Sequence, residues 1–226
     1  MKSIGLYGDS FAGNPDESSF RNHWSQKLKK HLGCGLVNYG WAGSSIYFSY
    51  TNFLENYKDH DLNIFLITDP NRYFQKIRGA VVPNVASLER CDVLTSEEKK
   101  LLAGWFFFSD HDHNIAMKDL MIGKILQLDP SVLLIPCFTW VAGKEIDIAL
   151  DTLQQYQISR FNKDPKVIIQ NYSENPSIIS GHLLPELHEF IFNVIKYKLE
   201  SGIWDWTGYE NVKFKYKFSD LYKKNI

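Results

Sequence analysis

The sequence predicts an α/β domain built on a doubly wound parallel sheet. Short apolar runs rich in Val, Ile or Leu recur along the chain, as buried parallel strands require. Segments of helical period separate them, and strand-helix alternation of this kind places helices on both faces of one sheet. The composition agrees: 226 residues with 44% hydrophobic and 23% charged content suit one α/β domain with a full core, or such a domain with a modest extension.

The elements follow in order. The first strand is Ser3 to Tyr7. Phe20, Trp24, Leu28 and Leu32 then share one helix face, opened by Ser18 or Ser19 as a cap. Strands at Leu36 to Tyr39 and Asn63 to Ile67 come next. Residues Tyr73 to Ala103 lack clean periodicity and read as an insertion, and Trp105-Phe106-Phe107-Phe108 reads as core. Met117, Met121, Ile125 and Leu128 form a second stripe, stopped by Asp129-Pro130. A strand at Val132 to Pro136, a stripe of Ile146, Ala149, Leu150 and Leu153, and a strand at Lys166 to Gln170 follow. The last stripe, Leu187, Ile191, Val194 and Ile195, starts near Pro185, a residue suited to a first helical turn.

This assigns residues 1–201 to the main domain, with its insertion at about 73–103, and 202–226 to an extension. The extension carries Trp204, Trp206 and Tyr209, then alternates lysine with apolar residues from Val212 to Phe218, the period of a strand. So much aromatic surface predicts an assembly or docking element, toward a partner or a second copy of the chain. No repeat and no low-complexity tract interrupts the pattern.

A net charge of −1 and a pI near 6.7 supply no electrostatic footprint for nucleic acid or an anionic membrane surface. The odd number of cysteines, Cys34, Cys91 and Cys137, argues against a disulfide framework and for a reducing compartment. Met1-Lys2-Ser3 runs straight into the first strand, and no apolar run approaches a membrane span. A soluble, cytoplasmic protein is expected.

Chemistry is concentrated at the ends of the strand-like runs. Ile4-Gly5-Leu6-Tyr7-Gly8-Asp9-Ser10 delivers a serine to the carboxyl end of the first strand, where open α/β sheets bind ligands and a nucleophile belongs. The competing role for Ser10 is that of a helix cap. Asn38-Tyr39-Gly40-Trp41-Ala42-Gly43-Ser44-Ser45 follows the second run, and Gly43 suits either a positive φ or an amide aimed at an oxyanion. Thr68-Asp69-Pro70-Asn71-Arg72 follows the third and is strong turn chemistry. Arg72, if turned into the cleft, is suited to an anionic group of a substrate. Gly181-His182-Leu183-Leu184-Pro185 lies near the end, and His188 beyond it reads as a surface histidine. Asp110-His111-Asp112-His113 contains metal-ligating residue types, but it precedes a helix, where Asp caps and solvated His are routine; no metal is expected.

Taken in order, these four blocks resemble the SGNH (GDSL-type) hydrolase family over Lys2 to about Leu199. The resemblance implies a flavodoxin-like three-layer α/β/α sandwich with a five-stranded parallel sheet in the order 2-1-3-4-5. It implies that Ser10 is the nucleophile and His182 the general base. The oxyanion donors it implies are the amides of Ser10 and Gly43 and the side chain of Asn71. Two departures stand out: Pro70 and Arg72 flank Asn71 where the family writes Gly-x-Asn-Asp, and Ile179 stands three residues before His182 where the family places an aspartate. A Ser-His dyad then needs another acceptor for the second ring nitrogen: a backbone carbonyl, Glu174 or Asn175.

The implied activity is hydrolysis of a small acyl ester, with a carbohydrate O-acetyl group favoured, and no cofactor is required. The alternatives are a degenerate member that binds a glycan or protein without turnover, or a structural or tail-associated protein. The last follows from the Gly-Asp-Ser-Phe start, which resembles uncharacterised bacteriophage-encoded SGNH-like chains and brings with it a place in a virion.

Overall fold

The structure, a computed structural model, describes residues 2–12, 23–75, 80–89, 91–139, 148–161, 183 and 185–213. The main elements in chain order are β1 (Ser3–Tyr7), α1 (Trp24–Leu32), β2 (Gly35–Asn38), α2 (Ile46–Asn56), β3 (Leu62–Ile67), β4 (Tyr73–Gln75), β5 (Ala80–Val82), α3 (Ser96–Phe108), α4 (His111–Leu128), β6 (Leu133–Pro136), α5 (Leu150–Phe161) and α6 (Pro185–Ser201). Strands β2, β1, β3 and β6 lie side by side in that order, every pair parallel, while β4 and β5 form a separate antiparallel hairpin. The expected strand at Lys166 to Gln170 lies outside the described residues.

Both faces of the sheet are covered, because the central strands are apolar on both sides. From β3, Leu62, Ile64 and Leu66 join Ile4 and Leu6 of β1 in a core with Trp24 and Leu28 of α1, Leu150 and Leu153 of α5, and Leu187, Ile191, Val194 and Ile195 of α6. Phe65 and Ile67 point the other way and join Tyr7 with Ile46 and Phe53 of α2 and Ile125 of α4. Each such side chain, fully buried, contributes about 1.5–3 kcal/mol. The period-2 alternation of one strand thus feeds two cores, which makes the domain three-layered.

Several local expectations are corrected. Helix α1 opens at Trp24, with His23 and not Ser18 or Ser19 as its N-cap: the His23 ring accepts from Ser25 N. The segment read as aperiodic contains the first part of α3, which opens on a complete capping box between Thr95 and Glu98. Trp105-Phe106-Phe107-Phe108 is not core as a block: Phe107 and Phe108 are 81% and 82% exposed, and among these four Phe106 packs against the small cluster of Val82, Leu88, Leu94 and Leu102. In the extension, Trp206 is buried in the main core and Trp204 packs against it, the two indoles stacked at 5.7 Å. Those aromatics cover the domain itself. Val212 and Lys213 are not in a strand, and the rest of the alternating run lies outside the described residues. Among the described residues no helix is long and apolar enough to cross a membrane.

Candidate active site

Strand β1 ends at Tyr7, and a 3-10 turn, Ser10–Ala12, follows directly. Asp9 builds that turn. Its Oδ1 accepts from Phe11 N at 3.1 Å, and its backbone carbonyl accepts from Ala12 N at 2.9 Å. Ser10 is half-buried at the carboxyl end of the strand, and among the described residues its hydroxyl has no hydrogen-bond partner.

The second block closes on this turn from the end of β2. Trp41 N and Ser44 Oγ both donate to the Gly8 carbonyl, at 3.0 and 3.1 Å, and Asn38 Nδ2 donates to the Ala12 carbonyl at 3.2 Å. The approach demands glycine at position 40, where a Cβ would lie 2.5 Å from Ala12 Cβ and 3.2 Å from the Gly8 carbonyl oxygen. Gly43 has φ +76°, a conformation open to glycine, and so turns the chain into Ser45, whose hydroxyl caps α2.

The third block follows β3. Asp69 Oδ1 accepts from Asn71 N at 2.7 Å, the turn expected of Asp-Pro-Asn, and burial pushes the Asp69 carboxyl above its ordinary range. Arg72 reaches back across the sheet end. Its Nη1 donates to Asp9 Oδ2 at 2.7 Å and to the Ser44 carbonyl at 3.2 Å, and its guanidinium lies 5.0 Å from the Phe138 ring centroid. Cys137, just past β6, places its thiol 3.6 Å from Asp9 Oδ1, and burial raises its pKa well above the ordinary thiol value. The buried Asp9 carboxylate is therefore ringed by an arginine, a thiol and a backbone amide.

Asn71 is held from α4. Its Nδ2 lies 3.2 Å from His111 Nδ1, and its Oδ1 accepts from Asn114 Nδ2 at 3.0 Å. His111 thus meets Asn71 where the sequence suggested a merely solvated residue, while Asp110 caps α4 through the amides of Asp112 and His113. Among the described residues no group of three or more His, Cys, Asp or Glu is arranged to hold a metal ion.

His182 lies outside the described residues, as do Glu174, Asn175 and Ile179. His188 is not a surface residue. It is 5% exposed on the core-facing side of α6, its ring centroid 4.6 Å from that of the buried His23, and burial lowers its pKa to about 3. The sequence carried the signal, since His188 shares the helical stripe of Ile191 and Ile195.

The blocks carrying Ser10, Gly43, Asn71 and Arg72 are thus tied together at the carboxyl ends of β1, β2 and β3 by bonds among their neighbours. A hollow of about 420 Å³ lies elsewhere, floored by Leu134 and Pro136 and walled by Trp204, Trp206 and Tyr209.

No family model matches the chain, and no curated protein matches it. Among solved structures it is similar to a lipase/acylhydrolase from Enterococcus faecalis, with 17% identity over 61% of this chain and 58% of that one, at a TM-score of 0.32. It is also similar to the lipase Lip_vut3 from a goat rumen metagenome, with 15% identity over 60% and 63% of the two chains, at a TM-score of 0.33. A third, the acetyl xylan esterase AlAXEase, shares 14% identity over 89% of this chain and 99% of that one, at a TM-score of 0.37.

Proposed function

We propose that the chain is a serine ester hydrolase of the SGNH kind. One observation carries this reading: Ser10 follows the central strand β1 in a turn whose buried Asp9 is bonded through Arg72 to the Ser44 carbonyl, so that three of the four motif blocks converge on one end of the sheet. In this reading His182 takes the Ser10 proton, the alkoxide attacks the acyl carbon, and the ester C–O bond then breaks as His182 passes that proton to the leaving alcohol oxygen. The amides of Ser10 and Gly43 and the Asn71 side chain hold the oxyanion, and water then releases the acyl group. Arg72 stiffens the turn through Asp9 and faces any anionic part of the substrate with what remains of its guanidinium. The favoured substrate is a small acyl ester, in particular a carbohydrate O-acetyl group.

The test is covalent labelling with an alkyl fluorophosphonate. Ser10 is expected to be the serine that reacts quickly, and Ser10→Ala to abolish both labelling and hydrolysis of a short p-nitrophenyl ester. Equal labelling of the variant overturns the assignment.

A second reading, a glycan- or protein-binding module without turnover, is favoured by Asn71, whose Nδ2 and Oδ1 both have partners on α4. It predicts a wild-type chain that resists the fluorophosphonate.

A further inference from the structure

Behind the turn that carries Ser10 lie two buried histidines, His23 and His188, neither of which the chemistry above uses. His23 stands just before α1, and its two ring nitrogens do different work. Nε2 lies 3.1 Å from the carbonyl oxygen of Phe11, the residue after Ser10. A carbonyl oxygen only accepts, so Nε2 carries the proton and Nδ1 the lone pair. Nδ1 then accepts from Ser25 N at 3.3 Å and from Ser25 Oγ at 2.8 Å. One neutral tautomer satisfies these three contacts, and burial, with His188 alongside, holds the ring in that uncharged form. Trp24 Nε1 is a second donor to the same Phe11 carbonyl, at 3.3 Å. The His188 ring backs His23 at 4.6 Å.

We propose that His23 is a positioning residue for Ser10: its Nε2–H holds the Phe11 carbonyl and so fixes the 3-10 turn that aims the Ser10 hydroxyl. The proposal rests on reading Ser10 as the nucleophile. The physical need is specific to this turn. A 3-10 segment of three residues, Ser10–Ala12, has little hydrogen bonding of its own. Its direction is set by what grips its carbonyls and amides. Asp9 grips the amides of Phe11 and Ala12 from the strand side, and His23 with Trp24 grips the Phe11 carbonyl from the helix side.

Two substitutions in the full chain separate this role from helix capping. His23→Asn keeps an acceptor where Nδ1 stands, so it still caps α1, but its amide is too short to reach Phe11. His23→Gln places an amide donor where Nε2 stands and gives up the cap. Positioning predicts that His23→Asn slows fluorophosphonate labelling of Ser10 by about 10- to 100-fold while the thermal midpoint stays near wild type. His23→Gln is expected to label at close to the wild-type rate although its midpoint falls. The proposal is overturned if His23→Asn labels at the wild-type rate, or if labelling follows the thermal midpoint in both variants. A wild-type chain that does not label at all would end the hydrolase reading instead. Hydrogen exchange at the Phe11 and Ala12 amides then decides the positioning role alone: faster exchange in His23→Asn than in His23→Gln supports it, and equal exchange overturns it.

Discussion

Arg72 Nη1 sits 2.7 Å from Oδ2 of Asp9, a carboxylate with no exposed side-chain surface. The pair joins the turn after β1 to the turn after β3, and each residue gives the other its reason to be buried. Removing one partner of a buried pair strands the other charge, at a cost of about 3–5 kcal/mol, whereas removing both can be nearly neutral. Arg72→Met is therefore expected to lower stability by about that amount in urea denaturation, with Arg72→Met/Asp9→Asn recovering much of the loss. A single-variant loss below about 1 kcal/mol would show that the pair does not brace the turn.

Asn71 is expected to act on turnover more than on binding. Asn71→Ala should reduce kcat by about 10²- to 10³-fold with KM unchanged, the cost of losing one preorganised oxyanion donor. Asn114→Ala leaves the Asn71 amide present but takes away the donor to its Oδ1, so its kcat should fall between wild type and Asn71→Ala. Loss of affinity with turnover intact would make Asn71 a substrate-positioning residue, and lost thermal stability with normal kinetics would leave it a turn residue.

The buried histidines set an acid limit. His188 titrates near 3 in the folded chain, held there by burial first and by Lys27 second, against 6.5 when unfolded. The unfolded chain thus binds the extra proton first, so this contribution to stability is complete above pH 6.5 and is lost as the pH falls from 6.5 toward 3. His23, also lowered, acts in the same direction. Thermal midpoints measured between pH 7 and pH 4 should fall with acid, and His188→Leu should flatten that slope, its advantage over wild type growing as the pH drops. Parallel slopes would refute the assignment.

Trp206 predicts the behaviour of the extension. As a member of the main core at 8% exposure, it should cost about 3–5 kcal/mol when replaced by alanine. Truncation after Ser201 removes it together with Trp204 and should abolish the near-ultraviolet circular dichroism of a packed core. A truncated chain that keeps this signal and changes only its oligomeric mass would return the segment to a docking role.

How much of this was legible beforehand follows from what a local pattern can encode. Strands β1 and β3 are buried and apolar on both faces, and the partly exposed edge strand β2 still carries Leu36 and Val37, so β1, β2, β3 and β6 could be read as short apolar runs to within a residue of their ends. Helix α6 could be read because its apolar stripe faces one core. Even the place of Ser10 followed, since it depends only on where the first run stops. Helix α3 was missed because it leaves Leu101, Phe107 and Phe108 in solvent, which erases the period that marks an amphipathic helix. The pairings that shape the site join distant parts of the chain: Arg72 with Asp9 across 63 positions, Asn71 with His111 across 40, and Cys137 with Asp9 across 128. The sequence alone marked β1, β2, β3 and β6 and the apolar stripes of α1, α4, α5 and α6, and it put Ser10 just past a strand end, but it did not mark α2, α3 or the β4–β5 hairpin. Only the tertiary structure decided that Arg72 turns inward to a carboxylate, that His111 meets Asn71, and that His23 grips the turn behind Ser10. Periodicity records burial along one segment, whereas a hydrogen bond between segments exists only once the sheet has set them side by side.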